Sequence, residues 1–211
     1  MSRKTEIKNK DIIESKPYLT KKELELLLEK KGKNLDKKIS LLLRDKYLIP
    51  LKRGFYVTEK FYLKNRQSFE EYLANILYYP SYLTAEYVLA KEGVIPENVY
   101  AYTSVSLKAT RSFKNQFGNF YYKKIKESLF CGFYQKPYLE NYQIKIATFA
   151  KALFDYFYFM PFSMAKNIRD LRLNLINFRK KDFEEFFSYV KISQSEKMKK
   201  IYQLIKKEYD R

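Results

Sequence analysis

The sequence predicts an α+β protein with two domains, on three observations. The first 66 residues contain three short helical patterns followed by two strand patterns and a basic turn. After a polar boundary at residues 65–68, helical patterns flank segments that alternate between polar and apolar residues, as half-buried strands do. The hydrophobic content of 46% is enough for a core in each part. We therefore expect domains at residues 1–66 and 67–211, the second with a small, mostly antiparallel sheet flanked by helices.

Local signals mark the three helices of the first domain. A helical pattern in residues 7–13 ends before Pro17. Thr20 and Glu23 then have the spacing of a capping box, in which each side chain bonds the other residue's backbone amide. The second helix is expected to stop at Gly32 in the left-handed conformation. The third helix has an inner stripe of apolar residues at helical spacing: Leu35, Ile39, Leu42 and Leu43.

A hairpin follows the third helix. Residues 47–51 and 55–57 have the composition of strands, and Lys52, Arg53 and Gly54 form a basic turn between them. Three helices followed by a hairpin is the order of a winged helix-turn-helix. In such a module one helix enters the major groove of DNA while the hairpin reaches neighbouring phosphates. The pattern predicts a DNA-binding module, with a protein-interaction module of the same shape as the alternative.

The net charge of +18 points to a polyanionic partner. Residues 1–66 contain 19 Lys and Arg against 9 Asp and Glu, whereas the remaining 145 residues contain 23 against 15. The richness in Lys, Ile, Asn, Tyr and Phe would also follow from an AT-rich genome, so charge alone leaves the partner open. Its concentration in the first third favours a nucleic-acid module there.

Two groups of candidate DNA-binding residues follow from this module. Side chains on the outer face of the third helix are predicted to contact base edges: Asn34, Lys37, Ser40 and Arg44. Cations at the second helix, beside that face and in the turn are predicted to contact phosphates, which position the protein without specifying a sequence: Lys21, Lys22, Lys38, Lys52 and Arg53. Asp36 and Asp45 are expected to balance surface charge.

The second domain shows strands between two sets of helices. Its first helices are expected from Phe69 and from Thr84. Its strands are expected at residues 99–105, 119–123, 129–134 and 143–146. Further helices are expected after Thr148, at 168–173, and after capping-box patterns at 182–185 and 193–196.

The composition argues against an enzyme. The absence of His removes His-based triads, metal sites and general bases, and with only 5 glycines the chain has no phosphate-binding loop. Cys131 is expected to be a buried hydrophobic residue. We therefore predict no catalytic residues, no metal and no cofactor. No apolar run reaches the roughly 18 residues of a membrane span, and a single cysteine suits a reducing cytoplasm, so we expect a cytoplasmic protein without membrane contact.

Tyrosines in the second domain leave two alternatives open. Tyr100, Tyr102, Tyr121 and Tyr122 could form an aromatic surface that recognises a protein. With Lys123, Lys124 and Lys126, the same rings could instead bind single-stranded nucleic acid. Against both stands the ordinary role of such residues, which is to cover a sheet beneath helices.

Several segments, taken in order, resemble AbiEi-type antitoxins. The hairpin at 47–57 is one, followed by 79–87, 93–97, 103–105, 110–111, 117–122, 146–148, 151–153 and 171–174. The hairpin alone is shared by many repressors, whereas the later segments are more specific to the family. The chain departs from the family pattern at Phe149 and Ala150, where the family often has Pro and Glu, and at Lys46, where it tends to have glycine.

The resemblance implies a type IV toxin–antitoxin, or abortive-infection, role against phage. It implies that the first domain represses its own operon at inverted repeats in promoter DNA. It further implies that the second domain counters a nucleotidyltransferase-like toxin encoded nearby, without a stable complex being required. The alternative is a stand-alone winged-helix regulator or interaction module with no antitoxin role.

Overall fold

A computed structural model describes residues 7–96 and 101–209, the last two for the backbone only. The chain is mixed α+β and divides into two compact units. Among the described residues, the first comprises 7–70 with 115–117, and the second comprises 71–96 and 101–114 with 118–209.

The described residues form ten α-helices and nine strands. The helices are α1 (Lys10–Ser15), α2 (Lys21–Leu28), α3 (Gly32–Arg44), α4 (Glu59–Lys64), α5 (Phe69–Leu77), α6 (Ala85–Lys91), α7 (Phe149–Phe159), α8 (Phe162–Ala165), α9 (Lys180–Ser193) and α10 (Glu196–Tyr209). The strands are β1 (Leu19–Thr20), β2 (Leu48–Lys52), β3 (Phe55–Thr58), β4 (Ser81–Leu83), β5 (Ala101–Ser106), β6 (Arg111–Asn115), β7 (Gly118–Lys124), β8 (Phe133–Pro137) and β9 (Gln143–Ala147).

The capping box predicted at the start of α2 is confirmed. The Thr20 amide donates to Glu23 Oε2 at 2.8 Å, and the Glu23 amide donates to Thr20 Oγ1 at 3.1 Å. The predicted end of α2 at Gly32 is wrong, because α2 ends at Leu28 and Glu29 takes the left-handed conformation with φ 51°. The predicted left-handed conformation of Gly32 is confirmed, with φ 50°. The helix closes a turn earlier because the amides of Glu29 and Lys30 bond to carbonyls of its last turn, Leu26 at 3.3 Å and Glu25 at 3.2 Å. Gly32 instead begins α3.

The sheet of the first unit has three antiparallel strands in the order β1-β3-β2. The predicted hairpin is β2 and β3, and an irregularity between Pro50 and Lys52 shifts its register beside the turn. Short helices and this small sheet enclose one apolar core, made of Ile13, Leu19, Leu24, Leu28, Leu35, Ile39, Leu42 and Leu48.

The sheet of the second unit has six strands in the order β6-β7-β5-β4-β9-β8. It is mixed, so the prediction of a small, mostly antiparallel sheet is confirmed only in part. β4 is antiparallel to β5 and β8 to β9, but β5 is parallel to β7 and β4 to β9. β7 lies between β6 and β5 in the sheet, although it follows β6 in the chain. β5 and β7 are therefore neighbours that no hairpin joins, and they run parallel.

Two predicted elements of the second unit are corrected. Residues 127–129 form a 3₁₀ turn, and β8 begins only at Phe133, since Gly132 has a left-handed φ of 73° that an extended strand does not permit. The predicted helix at 168–173 is a 3₁₀ turn over Ile168–Leu171, after which the Asn174 amide bonds the Val94 carbonyl at 2.8 Å. Positions 99 and 100 of the predicted strand lie outside the described residues.

The cap predicted for α7 is confirmed, whereas the capping-box pattern predicted at 182–185 does not begin α9. Thr148 caps α7, with its hydroxyl accepting from the Lys151 amide at 3.2 Å. The cap of α9 is Arg179, whose amide donates to Asp182 at 2.8 Å, so Asp182 lies inside the helix. Ser193 ends α9, and Ser195 accepts from the Met198 amide at 3.4 Å at the start of α10.

No described helix combines the length and apolar character needed to cross a membrane.

Candidate nucleic-acid interface

The outer face of α3 is the centre of the candidate site. α3 buries Leu35, Ile39 and Leu42 in the core of the first unit, which directs the opposite side of the helix to solvent. Four predicted base-contacting residues are exposed on α3: Asn34, Lys37, Ser40 and Arg44. Thirteen helical residues span roughly 20 Å, which is a length that can lie in a major groove.

The start of α2 and the β2–β3 turn are held together by backbone bonds. The Lys21 amide donates to the Gly54 carbonyl at 2.8 Å, and Thr20 pairs with Phe55 in the sheet. Gly54 has a φ of 75°, the left-handed conformation that lets the turn close tightly. The predicted phosphate-contacting residues of α2 and of the turn therefore lie on neighbouring parts of one surface.

Two of the predicted cations have acidic neighbours. Lys21 Nζ lies 2.5 Å from Asp36 Oδ1, and this hydrogen bond raises the pKa of Lys21 above its ordinary value. Arg44 Nε lies 3.2 Å from Asp45 Oδ1. All four side chains are largely exposed, and such pairs contribute little to stability. Asp36 and Asp45 therefore lie beside two of the predicted DNA-contacting cations.

Three predicted cations have no acidic partner anywhere in the described part of the chain: Lys22, Lys37 and Arg53. All three are exposed. An exposed cation without a carboxylate neighbour keeps its full charge available to a phosphate.

The remaining two cations are half-buried. Partial burial lowers the pKa of Lys38, and the positive charge of Lys30 adds to this effect. Lys52 Nζ lies 3.9 Å from the centre of the Phe55 ring, which holds the ammonium group over the hairpin. Lys33 was not among the residues predicted from the sequence, although it is exposed on α3. It lies four residues before Lys37, a spacing that puts both side chains on the same face of the helix.

The aromatic surface considered as an alternative is only partly present. Tyr122 is fully buried, and its hydroxyl donates to the Ala74 carbonyl at 2.6 Å. Tyr102 is half-buried and stacks on Phe120 with ring centres 5.1 Å apart. Tyr121 is exposed, and Tyr100 lies outside the described residues. Tyr122 is therefore a core residue, because its ring and hydroxyl are both satisfied inside the unit.

Cys131 is half-buried, so the prediction of a buried residue is wrong. Its thiol lies 3.9 Å from the Ser128 carbonyl, and partial burial raises its pKa. A raised pKa disfavours the thiolate, which is the nucleophilic form. Within residues 7–96 and 101–209, no group of three or more acidic or cysteine side chains is placed to hold a metal ion.

Compared with known proteins, the chain matches no protein-family model and no curated protein.

Proposed function

We propose that the chain is a sequence-specific regulator that binds double-stranded promoter DNA through α3 and the β2–β3 turn. The element order α1-β1-α2-α3-β2-β3 supports this proposal, since it is the order of a winged helix-turn-helix. In this proposal α3 enters the major groove, with Asn34, Lys37, Ser40 and Arg44 reading base edges.

The basic, solvent-facing side of α3 is the observation that carries the proposal. Lys37 and Arg44 lie on that side of the helix, opposite the buried stripe, and Lys33 adds a third cation at helical spacing. Arg or Lys can contact guanine in the major groove, and Asn can contact adenine. Lys22, Lys52 and Arg53 are placed to bind the phosphates on either side.

The second part of the proposal is an antitoxin role, and it rests on the resemblance to AbiEi-type antitoxins. We propose that the chain represses the operon that encodes it and that its second unit counters a nucleotidyltransferase-like toxin. The segments that carry the resemblance include residues 81–83 of β4, residues 151–153 of α7 and much of β7.

A binding titration with the upstream promoter duplex tests the DNA proposal. Affinity should fall steeply with salt, because each neutralised phosphate releases condensed counterions. Lys52→Ala with Arg53→Ala should weaken binding to all duplexes and reduce the salt slope by roughly one unit per lost contact. Lys37→Ala or Arg44→Ala should instead reduce discrimination between promoter and random duplex, by about 1–3 kcal/mol for a residue that reads a base.

A matched control removes the same charge elsewhere. Lys180 and Lys181 are exposed at the start of α9, so changing both to Ala removes two positive charges outside the candidate interface. This variant should bind the promoter almost as the native protein does. Equal affinity of the native protein for promoter and random duplex would contradict specific recognition, and an equal loss in the α9 variant would contradict the assigned surface.

A further inference from the structure

The second unit contains a cavity of about 290 Å³ that combines aromatic, amide and cationic side chains. Its lining includes Tyr72 and Asn75 of α5, Tyr79 just after that helix, Asn141, and Lys145 of β9. The volume is at the lower end of the range for small-molecule pockets, roughly 300–1,000 Å³. It therefore suits one planar group with a short polar extension.

The walls of this cavity are fixed by contacts within the unit. The Lys145 amide donates to Asn75 Oδ1 at 2.6 Å, and Asn75 Nδ2 donates back to the Lys145 carbonyl at 3.3 Å. Tyr72 stacks on Tyr138 with ring centres 4.6 Å apart and meets Tyr142 edge-on at 5.6 Å. The site is thus largely formed before any ligand arrives, which reduces the ordering cost of binding.

The cavity offers groups that are free to contact a ligand. The Tyr79 side chain is 66% exposed, although it is a large aromatic group. The side-chain amides of Asn141 and Gln143, both at the cavity, bond to no other described group and carry both donors and acceptors. A free amide beside an aromatic face matches a nucleobase, which presents a stacking surface and a polar edge.

The charge of the cavity favours an anion. Lys145 Nζ lies 5.6 Å from the centre of the Tyr79 ring and 5.4 Å from that of Phe133. Lys145 has no acidic partner in the part of the chain that the structure describes, and no carboxylate is among the residues that line the cavity. The Lys145 ammonium group lies over one face of the Tyr79 ring, so a base can stack on the other face while the ammonium group binds the attached phosphate.

We propose that this cavity binds one nucleotide, with the base stacked on Tyr79, its edge bonded by Asn141 or Gln143, and its phosphate beside Lys145. The nucleotide is either free or the unpaired residue of a strand, since both present the same chemistry. This proposal is independent of promoter binding by α3, because every residue that lines the cavity belongs to the second unit.

Calorimetric titration of the intact protein with AMP, GMP, CMP and UMP tests the proposal. At least one mononucleotide, or a short single-stranded oligonucleotide, should saturate one site per chain. Tyr79→Leu should weaken that binding by roughly 5- to 150-fold, the effect of losing one stacked base, whereas Tyr79→Phe should retain it. Lys145→Gln should weaken binding of the nucleotide but not of the matching nucleoside.

Controls separate the cavity from the general basicity of the chain. Tyr134, which is 50% exposed on β8 and does not line the cavity, provides the matched variant Tyr134→Leu, which should bind as the native protein does. Oligonucleotides are titrated into the variant with Lys37, Lys38 and Arg44 changed to Ala, so that the α3 surface contributes little. Saturation by a mononucleotide identifies a free nucleotide, and Tyr79-dependent saturation by the oligonucleotide alone identifies a strand.

Three results would overturn the proposal. One is the absence of saturable binding by every nucleotide and oligonucleotide. Another is binding that Tyr79→Leu leaves unchanged while thermal unfolding shows the variant to be folded. The third is Tyr79-dependent binding of an acidic, tyrosine-containing peptide with no binding of nucleotides, which would assign the cavity to a protein partner.

Discussion

Gly132 lies close against two side chains of the second unit, those of Tyr189 and Lys151. Its φ is 73°, and a Cβ atom there would lie 2.2 Å from the Tyr189 hydroxyl and 2.9 Å from Lys151 Cγ. Gly132→Ala should therefore lower the free energy of unfolding by about 2–5 kcal/mol, from overpacking together with left-handed strain. Gly93→Ala is the control, since Gly93 has a φ of 69° but open space around it, and should lose only about 1–2 kcal/mol. Equal losses in chemical denaturation would contradict the packing argument.

A fully buried ionic network is the second residue-scale feature. The Asp155 carboxylate accepts from Lys151, from Thr84 at 2.8 Å and from Tyr82 at 3.0 Å, and all four residues are buried. Burial raises the pKa of Asp155, while these three donors oppose the shift. The donors keep the buried carboxylate from being left without partners.

Breaking the Lys151–Asp155 pair should be strongly destabilising. Lys151→Met and Asp155→Asn should each cost about 3–5 kcal/mol, because each leaves a buried group without its partner. The double variant should lose clearly less than the sum of the two, since both changes remove one interaction. Lys199→Met, which breaks the exposed pair with Glu196, should have little effect in the same denaturation experiment, because solvent screens exposed pairs. Additive losses would mean that the buried residues act separately.

At the scale of elements, Glu71 joins α5 to α6 and β8. It accepts from Tyr87 at 2.7 Å, from Lys91, and from Lys136 at 3.1 Å, with 6% of its side chain exposed. Burial alone would raise the pKa of Glu71, but the three donors outweigh it and the pKa is lowered from 4.5. A lowered pKa means that the unfolded chain binds a proton more readily than the folded one.

This linkage predicts a specific acid sensitivity. The contribution of Glu71 should be fully present above pH 4.5 and should be lost as the pH falls through its lower folded pKa. Glu71→Gln should therefore be less stable than the native protein at neutral pH and should lose less on acidification to about pH 3. Glu92→Gln, at an exposed position after α6, should follow the native curve. Parallel curves for the native protein and Glu71→Gln would contradict the assigned role.

For the whole molecule, we expect a division of labour between the two units. The variant with Lys37, Lys38 and Arg44 changed to Ala should fold normally, because none of these side chains is fully buried. It should lose promoter binding, yet still protect cells from the neighbouring toxin when that toxin is expressed from an unrelated promoter. The unrelated promoter is needed because loss of repression would otherwise raise toxin expression and could not be distinguished from loss of neutralisation. A folded triple variant that fails to protect would contradict the division.

A truncation provides the complementary measurement. A chain ending before Gln67 should fail to protect cells, since it lacks the part assigned to the antitoxin role. Protection by that fragment would place neutralisation in the first domain. Native protein that binds the promoter but protects against no toxin would leave the stand-alone regulator as the function.

Short-range features of the fold were accessible from the sequence. Three such features depend only on residues that are close in the chain: the Thr20–Glu23 capping box, the hairpin of β2 and β3, and the buried stripe of α3. The exposure of Lys37 and Arg44 follows from the same helical periodicity. Their proposed contacts with DNA remain predictions.

Long-range features were decided only by the tertiary structure. The parallel pairing of β5 with β7 and of β4 with β9 depends on the order in which strands join the sheet, which no local pattern encodes. No local pattern predicts that Lys151 is buried. The second unit buries it because Asp155 on its own helix and two distant aromatic rings, those of Tyr82 and Tyr189, surround its ammonium group. The sequence by itself determined where helices and turns could begin, since caps and periodicity act between near neighbours. Which charges are buried, and which strands pair, depended on residues brought together from distant parts of the chain.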